Sequence, residues 1–370
     1  LQLATVASPD ALPGGCEGLF SDEPFDCLPW YRTTIAHALP AHAQPCFAVI
    51  TDQGQPVALA PLLRVGSRLS SLTTPYTCVH LPLLLHDDNS AQSAGYLLGR
   101  FCRDWPTVRL DAIPQEWPAL APFIAGLRAA GLAVQRFDHF GNWHEPVGGR
   151  SWAAYLADRP GALRETVRRK LRRAQAEAQF EIFRDASSLQ RGIDAFETVY
   201  RASWKEPEPF PTFNAALMQT AAQMGRLRLG VLWVGERAAA AQFWIVADGE
   251  ATVLKLAHDE TFKPLSPGTA LTALMLRGLL DDERVNRLDF GRGDDPYKAS
   301  WTTRRRQRIG LLLMNPRRAR GLVAVARSLA GRLRRPAHAS QQTAEPSIHR
   351  GRQAGDGALE GELAAQAAGQ

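Results

Sequence analysis

Leu288-Asp-Phe-Gly-Arg-Gly-Asp-Asp-Pro-Tyr-Lys-Ala-Ser-Trp301 decides how the rest of the chain is read. Residues 285–290 form an apolar run of strand type. It empties into Gly291 and Gly293, the carboxylates Asp294 and Asp295, and then Tyr297, Lys298 and Trp301. A strand that ends in a glycine-rich loop lets backbone come close to a ligand. A second signal stands upstream, Leu265-Ser-Pro-Gly-Thr-Ala-Leu271, between an expected strand and an expected helix. Together the two point to a site for a phosphate-bearing ligand beside a charged loop.

Outward from this centre the chain reads as α/β. Before it, 227–234, 239–246 and 251–257 are expected strands, and the turns at Gly235-Glu236 and Asp248-Gly249 suit antiparallel hairpins. The helix opened by Ser266 should run to Leu280, and 309–314 is a last strand. Ile193, Phe196, Tyr200 and Trp204 share one helical face, with Ser187 or Ser188 as cap. Thr212 opens a further helix, which Gly225 stops. In the first half, 46–51 and 56–63 are strands around Gly54, and 68–72 is a short strand. Then follow a helix at 91–102, a strand at 108–112, a helix at 117–130 ended by Gly131, and a strand at 132–137. Residues 139–160, rich in Gly, Pro and Trp, read as the crossing between domains. Both halves repeat one plan without repeating sequence.

With 370 residues, two domains are the natural prior. Apolar and charged contents of 45% and 22% suit a globular protein. No apolar run approaches the ~20 residues needed to cross a bilayer, and no basic segment leads into an apolar core near Leu1. The five cysteines are odd in number and form no Cys-x-x-Cys pair, which argues against a disulfide framework or zinc site and for a cytoplasmic chain. Charge is uneven: 1–163 carries a net −4, 164–335 a net +12 and the remainder −2. The positive half is the one that carries the glycine motifs, as an anionic ligand would favour.

In 266–269, Ser can cap a helix, Pro suits its first position and Gly clears the approach. Such a helix start would aim amide N–H groups at an anion, with pyrophosphate the obvious guest. An ordinary capped helix is the alternative. In the 289–301 segment a lysine beside exposed backbone could stabilise an oxyanion or phosphate, and a carboxylate could take a proton from an attacking amine or hydroxyl. A solvated turn is the alternative, but it leaves Tyr297, Lys298 and Trp301 without a shared explanation. His258 is a candidate base or an exposed turn residue. Lys205, Glu206 and Glu208 either line a cleft or lie in a solvated loop.

The order Tyr200-x-x-Ser203-Trp204, Gly225-Arg-Leu-Arg-Leu229, Ala239-Ala-Ala-Gln-Phe243, Leu265-Ser-Pro-Gly268 and Asp289-Phe-Gly-x-Gly-Asp-Asp-Pro-Tyr-Lys298 resembles the GNAT superfamily. It is most similar to the CelD/BcsL-like acetyltransferases linked to bacterial cellulose and exopolysaccharide synthesis, themselves related to the Fem-type aminoacyltransferases. The resemblance holds well over 150–315, more loosely over 20–150, and does not include the tail. One departure stands at the pyrophosphate turn, where Phe262-Lys-Pro-Leu-Ser-Pro-Gly268 replaces the usual Gln/Arg-x-x-Gly-x-Gly/Ala. The resemblance implies two tandem GNAT-like domains with mixed, mostly antiparallel sheets, at 20–145 and 150–315. It implies acetyl-CoA or another acyl-CoA as co-substrate, no metal, and an amine or hydroxyl acceptor on a small molecule or saccharide of the cell envelope. It places the donor at Ser266, Pro267, Gly268 and Thr269. Asp289, Asp294 and Lys298 are the expected catalytic residues, and Trp204, Tyr297 and Trp301 the expected substrate contacts. A Fem-type transfer from tRNA and a non-catalytic scaffold are the rival functions.

Two basic helices complete the expectations. The first, 163–179, carries Arg168, Arg169, Arg172 and Arg173. It suits a solvated interface, a phosphate group or tRNA; the lack of interleaved aromatic residues disfavours nucleic acid. The second, 317–335, sets Leu322, Val325, Leu329 and Leu333 on one face among arginines. It either packs on the protein or rests on an anionic membrane, peripheral to the inner membrane. Residues 336–370 are too poor in large apolar side chains to fold and are expected to be a disordered tail.

Overall fold

The computed structural model describes residues 1–334, so the expected disordered tail lies outside the described residues. The first half builds β1 (Gln2–Val6), α1 (Leu28–His37), β2 (Ala43–Asp52), β3 (Gln55–Val65), β4 (Arg68–Ser71), β5 (Leu84–Leu85), α2 (Ala91–Cys102), β6 (Thr107–Pro114), α3 (Leu120–Ala129) and β7 (Ala133–Pro146). The second half opens with α4 (Trp152–Ala157), α5 (Gly161–Glu177), β8 (Gln179–Phe183), α6 (Leu189–Arg201) and α7 (Phe213–Gln223). It continues through β9 (Leu227–Val234), β10 (Arg237–Ala247), β11 (Glu250–His258), α8 (Pro267–Arg277), β12 (Arg287–Arg292), α9 (Pro296–Trp301), β13 (Arg304–Met314) and α10 (Ala319–Arg334).

All described strands join one sheet in the order β1-β2-β3-β4-β6-β13-β7-β12-β11-β10-β9-β8, with β5 added on β3. The order is a palindrome of the two halves. The series β1, β2, β3, β4, β6 from one side mirrors β8, β9, β10, β11, β12 from the other, about the antiparallel β13–β7 pair. Each half contributes one parallel pair, β4 with β6 and β11 with β12, joined through a crossover helix; every other pairing is antiparallel. The expected α/β architecture of two repeated units is therefore present, fused into a continuous sheet. Strand β13, from the second half, lies between β6 and β7 of the first.

Local chemistry explains most of these elements. The β10–β11 turn places Asp248 and Gly249 at φ 47° and 73°, the left-handed pair that a two-residue hairpin needs. Helices α2 and α3 pack closely because Gly126 faces α2; a Cβ there would fall 2.1 Å from the Gln92 carbonyl oxygen.

Three expectations change. Residues 139–146 are not a crossing but the continuation of β7, which pairs with both β12 and β13. Strand β13 starts at Arg304 rather than near Ile309, because Arg306 and Arg308 find carboxylate partners instead of needing solvent. Helix α1 was not expected: Pro29 supports its first turn, but Thr33 and Thr34 are weak helix formers held there by burial.

The apolar cores sort by face. One lies under α2 and α3, a second under α4, α5 and α8. The third covers the opposite face and runs through both halves, uniting α1 with α6 and α7. Trp30 meets Phe213 edge-on at 5.8 Å, Tyr76 lies 4.3 Å from the same ring, and the Thr33 and Thr220 hydroxyls hydrogen-bond at 2.8 Å.

Candidate active site

The site begins where two parallel strands part. The β11–β12 ladder covers only Glu250–Thr252 against Arg287–Asp289. Beyond it, β11 continues to His258 on β10 alone, while β12 continues to Arg292. The last close approach is at Gly291: its φ is +67°, and a Cβ there would lie 2.7 Å from the Val253 carbonyl oxygen. Helix α8 starts a short turn after β11, at this same carboxyl end. Open α/β sheets tend to bind ligands outside the carboxyl ends of parallel strands.

Pro267 occupies the first turn of α8, as expected, but Ser266 does not cap it. Ser266 is in the left-handed region at φ 51°, and its hydroxyl makes no capping bond. The first amides of α8, at Gly268 and Thr269, therefore lack a side-chain cap, and Pro267 and Gly268 are buried. A Cβ on Gly268 would meet nothing closer than His258 Nδ1 at 3.5 Å. On the α8 side of the sheet, Gln242, Trp244 Nε1 and Thr272 Oγ1 are buried polar groups without a protein partner.

From α8 a continuous set of side chains leads across the opening. His258 Nε2 faces the Glu260 carboxylate oxygen at 3.2 Å, as a donor to it, and its ring lies 4.5 Å from the indole of Trp204. Trp204 is 55% exposed. Lys205 Nζ sits 5.8 Å from the Trp204 ring and 5.9 Å from the Tyr200 ring. Burial, then repulsion from Lys255, lowers the Lys205 pKa to about 8, and Asp295 and Lys298 are near enough to act on it. Glu208 meets Lys255 Nζ at 2.6 Å, and that ammonium lies 4.9 Å from the Tyr76 ring. The Glu208 carboxyl is held below its usual range: burial opposes this, and Lys255 leads the favourable contacts. Burial pushes the neighbouring Cys78 thiol up to about 11, with Asp289 adding to it.

The expected catalytic residues occupy different posts. Asp289 is buried, and both its oxygens are engaged. One accepts from Asn142 Nδ2 and the Gly291 amide at 2.7 Å each; the other accepts from Arg306 Nη2 at 2.6 Å. Asp294 receives the Arg305 guanidinium through two bonds, of 2.7 and 2.8 Å, and the Trp143 Nε1 at 3.1 Å. Lys298 is 5% exposed and turned inward: Nζ donates to the Arg292 carbonyl at 2.6 Å and pairs with Asp295 at 3.1 Å. The three build the loop instead of presenting free groups. Of the expected substrate contacts, Trp204 and Tyr297 are exposed, but Trp301 is core. Its ring is 2% exposed, and its carbonyl accepts from Tyr155 and Arg159.

Tyr76 and Lys255 escaped the sequence. Tyr76 comes from a first-half loop with no motif, and Lys255 sits in what reads as a plain strand. A lysine breaking an apolar run was the only signal. All five cysteines are buried and unpaired. Among the described residues, no group of three or more His, Cys, Asp or Glu is placed to hold a metal ion, and no helix is long and apolar enough to cross a membrane.

Residues 161–299 match the family profile described as an acetyltransferase (GNAT) domain. A search of the curated proteins finds no match. Among solved structures, the fold is similar to that of FemX, with a TM-score of 0.55 and 11% identity over 79% of this chain and 92% of that one. It is similar as well to a tandem GNAT protein from the clavulanic acid biosynthesis pathway, at TM-score 0.50 and 13% identity, covering 84% and 98% of the two chains. A conserved protein of unknown function from Bacteroides thetaiotaomicron gives TM-score 0.50 and 13% identity over 77% and 89%. The chain thus carries a GNAT acetyltransferase domain in its second half, within a tandem α/β architecture, and its class of activity is acyl transfer.

Proposed function

We propose that the chain transfers an acyl group from acyl-coenzyme A to an amine or hydroxyl of a saccharide acceptor. The observation that carries this is the parting of β11 from β12 beside the uncapped start of α8. The Gly268 and Thr269 amides would hold the donor pyrophosphate, and the acyl arm would lie in the gap beyond Gly291. Trp204 and Tyr297 offer flat, exposed faces to a sugar ring, and Lys205, Lys255 and Glu208 offer charged partners to its polar groups. The same residues serve a cell-envelope or exopolysaccharide precursor as acceptor.

The chemistry is direct. The acceptor nitrogen or oxygen attacks the thioester carbonyl carbon, the new C–N or C–O bond forms, and the C–S bond breaks to release the thiolate. The proton shed by the acceptor goes to the neutral amine of Lys205. Asp289, Asp294 and Lys298 keep the 291–298 loop in the shape that leaves the gap open.

Calorimetry with acetyl-coenzyme A should show binding, and Thr269→Glu should weaken it by about tenfold or more, since a carboxylate at the helix start repels phosphate while favouring the helix itself. Absence of both binding heat and thermal shift in the unaltered protein at millimolar donor would sink the proposal. Release of free thiol in the presence of amino-sugar acceptors then identifies the acceptor class.

A second donor is favoured by one observation. On α5, Arg168, Arg169, Arg172 and Arg173 are all exposed, and Lys170 Nζ of the same helix reaches the Pro264 carbonyl, at 3.3 Å, in the turn before α8. A cationic row beside the donor end suits a longer polyanion such as charged tRNA. If tRNA is the carrier, its affinity falls steeply with salt; salt-insensitive donor binding would exclude it.

A further inference from the structure

Helix α10 is hydrogen-bonded to the body of the protein at its start. Asn315 Nδ2 and Arg318 Nε both donate to the Arg103 carbonyl, at 2.6 and 3.1 Å. Gly321 lies so close that a Cβ would fall 2.1 Å from the Asn315 carbonyl oxygen and 2.7 Å from that of Pro106. Past this anchor, Leu322, Val323 and Leu329 are 55%, 50% and 54% exposed. Leu322 and Leu329 are seven residues apart and share one face, whereas Arg320 and Arg327 share another. Single exposed apolar residues need no explanation, but an exposed stripe on a helix flanked by cations does. The base of the helix is also cationic. Arg100, Arg103, Arg317 and Arg318 line a hollow there with Asp104 and Asn315, and the one contact of Asp104 with Arg318 is a loose 3.9 Å.

We infer that α10 is a docking element for an anionic lipid surface. The apolar stripe would enter the boundary between headgroups and acyl chains, while the arginines at its base and along its flank would meet lipid phosphates. A protein partner would account for the stripe but not for an almost wholly basic surround. The topology gives docking a use. Strand β13 runs parallel in direction to β11 and β12, because both β12 and β13 are antiparallel to β7. Helix α10 follows the carboxyl end of β13, and β11 and β12 part toward their own carboxyl ends. Docking would thus bring the end at which β11 and β12 part to the membrane side, where a lipid-linked acceptor would reside. That last consequence rests on the proposed acyl transfer; the docking itself does not.

The test is flotation of the full chain with phosphatidylcholine vesicles, with and without about 30 mol% phosphatidylglycerol. Binding is expected only with the anionic lipid, and weaker at high salt. The double substitution Leu322→Glu/Leu329→Glu should reduce the bound fraction by at least about tenfold, and Arg317→Gln/Arg318→Gln/Arg320→Gln should reduce it similarly. Both variants should keep the melting temperature and the acetyl-coenzyme A affinity of the unaltered chain, which separates failed docking from a failed donor site. Failure of the unaltered chain to float with anionic vesicles overturns the inference. So does flotation of Leu322→Glu/Leu329→Glu at the unaltered level, which would reduce the surface to simple charge attraction.

Discussion

Two lysines, Lys205 and Lys298, show how burial alone does not assign a role. Lys298 is the more buried, yet its ammonium faces the Arg292 carbonyl and Asp295 and is held inside the loop. Lys205 is half-buried, faces aromatic rings and a second lysine, and carries a pKa lowered to about 8. The sign follows from the cause. Burial disfavours the ammonium, so below about pH 8 Lys205 is charged and cannot accept a proton, and above it the neutral amine dominates. Turnover should therefore rise with pH and level off above about 8, and Lys205→Met should remove that limb while lowering turnover by about 100-fold or more. The same shift makes the charged residue unfavourable to the fold at low pH. The penalty is relieved between about pH 8 and about 10.4, where an unfolded lysine still holds the proton that the folded one has released. Lys298→Met should behave differently: a loss of about 1–3 kcal/mol of stability from unpaired carbonyls, with the pH limb intact. A pH–rate profile and a thermal melt on both variants decide it. An unchanged pH limb in Lys205→Met would remove that residue from the chemistry.

At the scale of elements, the sequence was most legible where periodicity and turn residues agreed. The β9–β10–β11 meander, α6, α7 and α8 all fall close to their expected bounds, because Gly235, Asp248-Gly249 and Gly225 mark their ends. Less legible was anything decided by a distant partner. Strand β7 reads as a loop beyond Phe137, since its polar side chains become strand-like only once Asn142 can donate to Asp289 and Glu145 can meet Arg159. The same physics hid the role of Asp289. In the sequence it stands at the head of a functional loop; in space it is the centre of a buried ion pair. Within the glycine motif, Gly291 is the residue that comes closest to β11. Its left-handed backbone and its 2.7 Å approach to Val253 leave no room for a side chain. Gly291→Ala should cost about 1–3 kcal/mol and spread β11 from β12, so the melting temperature and donor affinity should fall together. A variant that melts as the unaltered protein does would show that the strands part elsewhere.

The palindromic strand order makes the whole molecule a pair of repeats, but the repeats are not equivalent. In the second, an uncapped α8 follows the parallel pair's first strand. At the matching place before α2 stand Asp87 and Asp88, whose charge would repel a phosphate. The proposed donor site thus has a counterpart in only one of the two repeats, and the first half brings Cys78 close to Gly291 and the Tyr76 ring to Lys255. The repeats are also interlocked. With β13 removed, β6 and β7 would each expose a bare edge; with β7 removed, β12 would. Unpaired edges of this kind favour aggregation, and the apolar core shared by α1, α6 and α7 would be cut in two. The expected outcome is one cooperative unfolding transition for the whole chain, with tryptophan fluorescence and far-ultraviolet circular dichroism coincident in urea. Fragments 1–150 and 151–334 expressed singly should be insoluble or lack a sharp melt, and coexpression should restore a folded complex. Two separated transitions, or a second-half fragment that melts sharply and binds donor alone, would show that the halves fold independently despite the strand they share.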